Sequence, residues 1–278
     1  MQHQAMQRKV QMKTIRPAIK CHGGKYYLAK WIIENFPEGF ENMTYVEPYC
    51  GGANVFFNKP KSKIEVINDV DTEIIQIYRA LRDEPSEFMR RLKICKYCEE
   101  TFQRALKKNQ IEDYLEHAVN EFVLRRMSRG GLRKAFAWSK RQRGGKPGDI
   151  NAWETSLKGL PSLSEKLKEV FIFNKPALEV IKSFNSKNTL LYLDPPYLQD
   201  TRISKNVYSF EMTEDDHIDL ANVLKRFPGK VMISGYSSPL YNHLYKEWKV
   251  CKRKVVNHAS QQKIKTAKTE IIWKNFDK

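Results

Sequence analysis

The sequence contains no long apolar run: no uninterrupted hydrophobic stretch approaches the roughly 20 residues that a helix needs to cross a bilayer. Residues 1–16 are polar and have no apolar centre, so they lack the hydrophobic region of a secretory signal. We expect them to form a flexible N-terminal arm. The chain of 278 residues, 41% of them hydrophobic, can bury a substantial core. The sequence therefore predicts a soluble globular protein with no membrane span.

Cysteine is scarce and its count is odd. Five cysteines in a chain of this length argue against a disulfide framework and favour reduced thiols in a cytoplasm. Cys95 and Cys98 are spaced like a zinc-binding pair, but they lie in a helical pattern and no second pair follows at zinc-finger spacing. We therefore expect a cytoplasmic protein without a metal.

Acidic residues are few relative to basic ones. Lys and Arg number 49 against 32 Asp and Glu, which gives a formal net charge of +17 at pH 7. A field of this sign attracts polyanions and speeds their association. Nucleic acid is the first candidate partner and an anionic membrane surface the second. A generally lysine-rich composition would explain scattered lysines but not clustered arginines, and in this sequence the arginines cluster.

Neither of the common glycine-rich nucleotide motifs is complete. The loop Lys20–Lys25 precedes a helix predicted from about Tyr26 to Phe36, but it lacks the upstream glycine and the Lys-Ser/Thr ending of a Walker A loop. Its glycines, Gly24 among them, let the backbone come close to a ligand, with Lys25 supplying a charge. The full G-x-G-x-x-G pattern is also absent, which weakens the case for a dinucleotide.

A strand, a glycine turn and a helix nevertheless follow one another in the order of a nucleotide-cofactor cradle. The predicted strand Thr44–Glu47 leads through Gly51 to a helix from about Asn54. A second predicted strand, Ile64–Asn68, ends at Asp69, roughly twenty residues after the turn, where an acidic residue binds ribose hydroxyls. This spacing indicates an adenosine-containing cofactor. The alternative for Asp69 is a charge at the N-terminus of the next helix.

The most informative stretch is the apolar run Thr189–Leu193, which is followed by Asp194, Pro195, Pro196 and Tyr197. The run predicts a strand buried on both faces, and it must end at Asp194 because proline cannot donate to a sheet ladder. The two prolines hold the backbone extended and fix the direction of Tyr197. Ligands of open α/β sheets bind just beyond the carboxyl ends of strands, so this corner is a candidate reaction site.

The corner presents two acceptors, the Asp194 carboxylate and the Pro195 carbonyl, beside the ring of Tyr197. This arrangement suits a planar base with an exocyclic amine, such as adenine or cytosine. Acceptors favour the positively charged nitrogen that forms when the amine attacks an electrophile. Asp194 would act mainly as an oriented acceptor, since an ordinary aspartate is too acidic to be a strong base. The alternative is a strand-ending turn with an exposed aspartate.

Residues 83–163 are predicted to be helical and strongly basic, and the α/β pattern resumes after them. Arginine and lysine alternate there with Phe136, Trp138 and glycine pairs, which is typical of a loop or hairpin that grips phosphates. The alternative is a solvated basic loop. The residues predicted to contact phosphates are Arg125, Arg126, Arg129, Arg133 and Lys134.

Near the C-terminus, Glu270–Trp273 and Val255-Val256 predict a closing hairpin.

Four motifs follow one another along the chain: Gly23-Gly24-Lys25, Val46–Gly51, Asn68-Asp69 and Asp194–Tyr197. Together they resemble the D12 class (Dam-like, α-group) of DNA adenine-N6 methyltransferases, and the similarity covers the chain from about Pro17. The resemblance implies a Rossmann-like α/β sheet with an inserted helical target-recognition domain. It also implies S-adenosylmethionine as methyl donor, S-adenosylhomocysteine as product and no metal. The catalytic domain would be residues 17–82 and 164–278, and the target-recognition domain residues 83–163.

The resemblance also implies roles for single residues. Asp194 and Pro195 would hold the adenine N6, and Tyr197 would stack on a base flipped out of the duplex. Cys21 stands where relatives often have an aromatic residue, and Ala53 replaces the last glycine of the turn. The residues implied at the donor site are Cys21, Gly24, Lys25, Glu47, Tyr49, Gly51, Asp69 and Asp194.

We therefore expect a site-specific DNA adenine-N6 methyltransferase that acts on double-stranded DNA as a monomer or weak dimer. A cognate restriction endonuclease is a further expected partner. An RNA or protein amino methyltransferase would keep the same catalytic core. A catalytically inactive DNA-binding relative would keep the basic lobe, but intact Lys25, Asp69, Asp194 and Tyr197 argue against it.

Overall fold

The computed structural model describes residues 14–107, 112–139, 141–201, 210–256 and 267–277, so most of the predicted arm at residues 1–16 lies outside the described residues. The strands in these ranges are β1 (Thr44–Glu47), β2 (Ile64–Asn68), β3 (Gln142–Arg143), β4 (Lys146–Pro147), β5 (Val170–Phe173), β6 (Thr189–Leu193), β7 (Lys230–Gly235), β8 (Lys249–Val256) and β9 (Ala267–Lys274). The α-helices are α1 (Ala29–Glu34), α2 (Asn54–Asn58), α3 (Thr72–Asp83), α4 (Pro85–Ile94), α5 (Glu99–Leu106), α6 (Tyr114–Met127), α7 (Gly148–Leu167), α8 (Ala177–Ser183), α9 (Glu214–Lys225) and α10 (Pro239–Leu244).

Seven of these strands form one sheet in the order β5-β2-β1-β6-β7-β9-β8. The first five in this order are parallel, and β9 runs antiparallel to both β7 and β8. The strand order reverses between β1 and β6. Their carboxyl ends therefore form the crevice in which open α/β sheets bind ligands. The mixed sheet confirms the predicted Rossmann-like α/β fold.

Helices cover both faces of the sheet. Successive residues of a strand point to opposite faces, so β1 sends Tyr45 to one side and Val46 to the other. Tyr45 and Tyr192 belong to a hydrophobic cluster with α1, α2 and α3, whereas Val46 and Leu191 belong to a second cluster with α8, α9 and α10. All five residues of β6 are buried, as expected for a central strand between two helical layers.

The basic region forms α4, α5, α6, the short hairpin β3–β4 and most of α7. Its Phe88, Phe122 and Trp153 belong to the same hydrophobic cluster as Ile75 and Tyr78 of α3. This lobe is therefore packed onto α3, in the helical layer on one face of the sheet, and is not tethered to it by a linker. The predicted boundary at residue 163 falls inside α7, which runs continuously into the α/β layer. The division into catalytic and target-recognition domains otherwise stays a prediction.

The described ranges also bear on membrane insertion, metal binding and disulfide formation. None of the helices there is long and apolar enough to cross a membrane. The same residues contain no group of three or more His, Cys, Asp or Glu side chains arranged to hold a metal ion. All five cysteines are free thiols, and the Cys98 Sγ lies 3.2 Å from the Thr101 hydroxyl.

Candidate active site

Three acidic residues stand at the carboxyl ends of neighbouring strands. Glu47 ends β1, Asp69 follows β2 and Asp194 follows β6. Because β2, β1 and β6 are adjacent and parallel, the three carboxylates meet at one edge of the sheet. They line a cavity of about 590 Å³. The structure thus brings together all of the residues predicted at the donor site, since the wall also contains Cys21, Gly24, Lys25, Tyr49 and Gly51.

The Asp194 carboxylate is held from two sides. The Lys25 ammonium lies 2.7 Å from Asp194 Oδ1 and 2.8 Å from Oδ2. The Ser234 hydroxyl, at the end of the neighbouring strand β7, donates a hydrogen bond of 2.8 Å to Oδ1. Pro195 is buried and Pro196 lines the cavity. The side chain that follows β6 is therefore fixed in direction at the mouth of the crevice.

Tyr197 points away from solvent and is only 5% exposed. Its hydroxyl donates a short hydrogen bond to the buried carboxylate of Glu270 on β9. The Lys25 ammonium lies over the ring, 4.6 Å from its centroid, and the ring of Tyr236 packs against it edge-on at 4.8 Å. One face of the predicted stacking platform is thus covered by Lys25, which has to move before a base can stack there.

The glycine turn after β1 is tied to Asp69. The backbone N–H of Gly51 donates to Asp69 Oδ2 at 2.8 Å, and that of Asp71 donates to Oδ1 at 2.9 Å. Gly51 has φ of 46°, the left-handed region that favours glycine, and Ala53 has φ of 47°. A left-handed conformation costs a residue with a Cβ about 1–2 kcal/mol. The turn therefore tolerates alanine in place of the family's last glycine at a cost in stability.

Asn54 lies at the start of α2 and borders the cavity. It is 6% exposed, and its side-chain oxygen Oδ1 is buried without a hydrogen-bond partner in the structure. A Cβ atom on Gly24 would lie 3.0 Å from Asn54 Nδ2, and one on Gly52 only 2.9 Å from it. Glycine at these two positions keeps open the space in front of the Asn54 amide.

Glu47 is buried beneath the cavity. Its Oε2 accepts hydrogen bonds from the Tyr45 hydroxyl at 2.6 Å and from the Phe56 backbone N–H at 3.1 Å. Burial raises the pKa of the Glu47 carboxyl to about 8, against the opposing effect of these hydrogen bonds. A carboxyl group that is substantially neutral near pH 7 does not repel the anionic end of a ligand.

Arg125 lines the cavity and is not exposed on the surface. This position corrects its predicted role as a phosphate contact. Its side chain donates to Asp71 Oδ2 at 2.8 Å and to Glu121 Oε1 at 2.6 Å, and Nη1 lies 3.8 Å from the Cys21 sulfur. Only 5% of Arg125 is exposed. Because these buried carboxylates neutralise its guanidinium, Arg125 joins the lobe to the cavity and presents no free charge to DNA.

The other predicted phosphate contacts lie in different surroundings. Arg126 donates to the Ala152 carbonyl at 2.9 Å, and burial lowers the pKa of its guanidinium to about 10, so it too faces inward. Arg129 is exposed, and Arg133 is half-exposed with Nη1 3.0 Å from Glu121 Oε1. Lys134 is exposed and lies at the rim of the cavity. The structure therefore places Arg129, Arg133 and Lys134 outside and Arg125 and Arg126 inside.

A family model for D12 class N6 adenine-specific DNA methyltransferases matches residues 22–261. The chain belongs to this family. Its activity is accordingly the methylation of adenine in DNA, as the sequence predicts.

Relatives similar to this chain cover most of its length. The Type II methyltransferase M1.LlaDCHI of Lactococcus lactis subsp. cremoris is 26% identical over 297 residues, which covers 95% of this chain and 96% of the relative. The Type II methyltransferase M.CviBI of Paramecium bursaria Chlorella virus NC1A is 23% identical, with coverage of 83% and 86%. A DNA adenine methylase of Vibrio cholerae is 26% identical over 253 residues, with coverage of 84% and 86%. An rRNA methyltransferase structure, aviRa from Streptomyces viridochromogenes, is 12% identical with a TM-score of 0.40 and covers 95% of this chain and 87% of that chain.

No role was predicted from the sequence for three residues that the structure places at the site of this D12-class enzyme. Ser234 follows Ile233, the register partner of Leu193, so it could have been placed beside Asp194 once β6 and β7 were paired. Glu270 is an acidic residue that opens an apolar strand segment, which signals a buried carboxylate with a partner. Asn54 carries no such signal, because asparagine is common at the start of a helix.

Proposed function

We propose that this D12-class enzyme transfers a methyl group from S-adenosylmethionine to N6 of an adenine that is flipped out of a specific duplex DNA sequence. One observation carries the proposal: the corner that begins at Asp194 opens onto the cavity lined by Lys25, Gly51 and Asp69. Acceptors for a base amine and a candidate donor site therefore share one space.

The cavity suits S-adenosylmethionine in size and in chemistry. Its volume of about 590 Å³ lies within the range of about 300–1,000 Å³ that is usual for ligand sites. Each oxygen of Asp69 accepts one backbone N–H and keeps a second lone pair, which suits two ribose hydroxyls. The unpartnered oxygen of Asn54 suits an ammonium donor, since buried polar atoms normally have a partner. Lys25 supplies a positive charge for a carboxylate.

The chain's own residues provide alignment and acceptors for the transfer. S-adenosylmethionine, when bound, supplies an electrophilic methyl group on a positively charged sulfur. The Asp194 carboxylate and the Pro195 carbonyl accept the two N6 hydrogens of adenine, which favours the positive charge that develops on the nitrogen. Ser234 keeps Asp194 Oδ1 in this direction. The methylated nitrogen is positively charged and strongly acidic, so it passes one proton to the Asp194 carboxylate, which releases it to water. No covalent enzyme intermediate is required.

DNA binding is assigned to the exposed basic residues next to the cavity. Arg129, Arg133 and Lys134 follow α6, and Arg133 and Lys134 line the cavity, where phosphates beside a flipped base would pass. Phosphate contacts of this kind fix the register of a protein on DNA but carry no sequence information. Trp138, which is 54% exposed, adds an aromatic surface to the same region.

Neutralising Arg129 and Lys134 together by substitution with glutamine is expected to flatten the salt dependence of DNA binding. The slope of log K against log salt concentration is negative, and each lost phosphate contact reduces its magnitude by about 0.9. The slope of the double variant should therefore be smaller in magnitude by about 2. Titrations of a labelled duplex at several salt concentrations measure this slope. Arg90→Gln removes an exposed arginine that is paired with Glu87 on α4 and serves as the matched control. An unchanged slope in the double variant would show that both side chains face away from DNA.

Donor affinity is expected to fall as the pH decreases through about 6. Burial raises the pKa of the Asp69 carboxyl to about 6, and protonation turns one of its acceptor oxygens into a donor. If S-adenosylmethionine binds only when Asp69 is ionised, its Kd rises about tenfold for each pH unit below the pKa of Asp69. Calorimetric titrations at several pH values check this. Asp69→Asn should bind weakly at every pH and lose the dependence, whereas Glu47→Gln should keep it.

The test of the proposed function is transfer of a labelled methyl group to duplex DNA, RNA and protein in parallel, followed by digestion of the nucleic acids to nucleosides. The expected product is N6-methyldeoxyadenosine from duplex DNA. Label in adenosine or in protein would favour the alternative substrates, and no incorporation at all would favour an inactive DNA-binding relative.

Sequencing the genomic DNA of an expressing host for modified adenines would identify the recognised bases. Because several relatives are named Type II methyltransferases or a modification methylase, we include a cognate restriction endonuclease among the proposed partners. Protection of the modified DNA from an endonuclease that cuts the same sequence would support this role. The enzyme is proposed to act in the cytoplasm as a monomer or weak dimer.

A further inference from the structure

Glu270 is a buried carboxylate on the penultimate strand of the sheet. It lies on β9, between β7 and β8, and is 3% exposed. A buried carboxylate is costly unless charges and hydrogen bonds compensate it. Its compensating partners come from the active site: the Tyr197 hydroxyl donates to Oε1, and the Lys25 ammonium lies 3.7 Å from the same oxygen.

Lys25 therefore stands between two carboxylates. Its ammonium is 2.7 Å from Asp194 Oδ1 and 3.7 Å from Glu270 Oε1, and it lies 4.6 Å from the centroid of the Tyr197 ring. In this position it occupies the Asp194 acceptors and covers the ring face. An adenine that is to donate to Asp194 and stack on Tyr197 must displace it.

We propose that Glu270 is a positioning residue for methyl transfer: it fixes Tyr197 by its hydroxyl and receives the Lys25 ammonium when the target adenine takes over Asp194. This inference rests on the proposed function. A move of about 1 Å toward Glu270 brings the ammonium into direct ion-pair contact, because charge-assisted N–H···O bonds are about 2.7–2.9 Å long.

The net charge of Lys25, Asp194 and Glu270 is the same in both arrangements. Without adenine, one ammonium serves two carboxylates, and it is closer to Asp194. With adenine, Lys25 and Glu270 neutralise each other, and Asp194 keeps its negative charge for the nitrogen that becomes positive during the transfer. If Glu270 carried no charge, moving the Lys25 ammonium away from Asp194 would cost more free energy. Lys25 would then compete with the adenine amine for the Asp194 carboxylate. The Tyr197 hydroxyl would also lose a charged acceptor, which is the stronger kind.

The test uses Glu270→Gln, Tyr197→Phe and the double variant in the full-length enzyme. At saturating donor, Glu270→Gln is expected to lower the single-turnover rate about 10- to 100-fold, the size of effect that follows from losing a charged hydrogen-bond partner. Tyr197→Phe should lower it about tenfold. The double variant should be faster than the product of the two losses predicts, because the hydroxyl acts through Glu270.

Base extrusion supplies a readout that a merely structural role would not change. In a duplex with 2-aminopurine at the target adenine, wild type should increase the fluorescence by taking the base out of the stack, and Glu270→Gln should increase it less. Glu65→Gln is the matched control. Glu65 is also a buried strand glutamate that pairs with a lysine, Lys59, but its hydrogen bonds come from Lys59 and the Ser62 backbone and not from active-site residues. We expect Glu65→Gln to lose stability and keep the wild-type rate and fluorescence.

Wild-type rate and fluorescence in Glu270→Gln would overturn the proposal, and so would strictly multiplicative losses in the double variant. If Glu270→Gln does not fold, Tyr197→Phe decides, and a wild-type rate in that variant would overturn the proposal. Failure of the proposed function is distinguishable, because wild type itself would then transfer no methyl group to DNA.

Discussion

Asp194→Ala is expected to lower the rate of methyl transfer to duplex DNA by about 10²–10³-fold or more at saturating donor. Removing one preoriented group that stabilises transition-state charge has an effect of this size, and Asp194 is also the partner of Lys25 and Ser234. Single-turnover incorporation of a labelled methyl group measures the rate. Affinity for DNA should change little, because the basic residues proposed to meet phosphates lie elsewhere.

Two further variants sharpen this experiment. Asp194→Asn keeps one acceptor oxygen without the charge and is expected to retain an intermediate rate. Asp200→Ala removes an exposed aspartate from the short helix Gln199–Thr201 and should behave as wild type. Equal incorporation by wild type and Asp194→Ala would remove Asp194 from the mechanism.

Gly131→Ala is expected to lower the free energy of unfolding by about 2–4 kcal/mol and to weaken donor binding. Gly131 has φ of 75°, and a Cβ there would lie 2.0 Å from the carbonyl oxygen of Lys20. The Lys20 side chain also donates to the Arg126 carbonyl at 2.6 Å, so the lobe and the segment leading to Lys25 are in close contact here. Denaturant unfolding and calorimetric titration with S-adenosylmethionine measure the two effects.

The adjacent glycine provides the control. Gly130 has φ of 61°, but a Cβ there would meet nothing closer than Leu132 Cγ at 3.9 Å. Gly130→Ala should therefore show only the cost of the left-handed conformation, about 1–2 kcal/mol, and should bind the donor normally. Equal losses of unfolding free energy and of donor affinity in the two variants would show that the close approach of Gly131 to Lys20 contributes to neither.

Local sequence patterns were sufficient to predict much of the sheet. β1 and β2 have the predicted bounds, because each is a short apolar strand that ends at polar or turn-forming residues. The closing hairpin was also predicted, and β8 and β9 do pair antiparallel. That β9 inserts between β7 and β8 could not be predicted, because strand order depends on long-range packing. The predicted helix from Tyr26 to Phe36 is shorter, Ala29–Glu34, since residues before Ala29 form turns.

The site was predictable where it depends on strand ends. Asp69 and Asp194 each follow an apolar strand, and parallel strands bring such residues to one edge. The arginines were harder, because clustering in sequence does not tell which side of a helix faces inward. Helix α6 buries residues on nearly all sides, so Arg125 points into the protein. Glu121, four residues earlier, is the sequence signal that was missed, since that spacing favours an ion pair along a helix.

The position of β9 also has a consequence for the timing of activity during synthesis. This strand enters the interior of the sheet, between β7 and β8, and it brings Glu270 to Tyr197 and Lys25. A nascent chain that has emerged only as far as β8 has an unpaired edge on β7 and lacks the Glu270 carboxylate that holds Tyr197 and Lys25. We expect such a chain to leave DNA unmodified, so that methylation begins only when the last strand has been inserted.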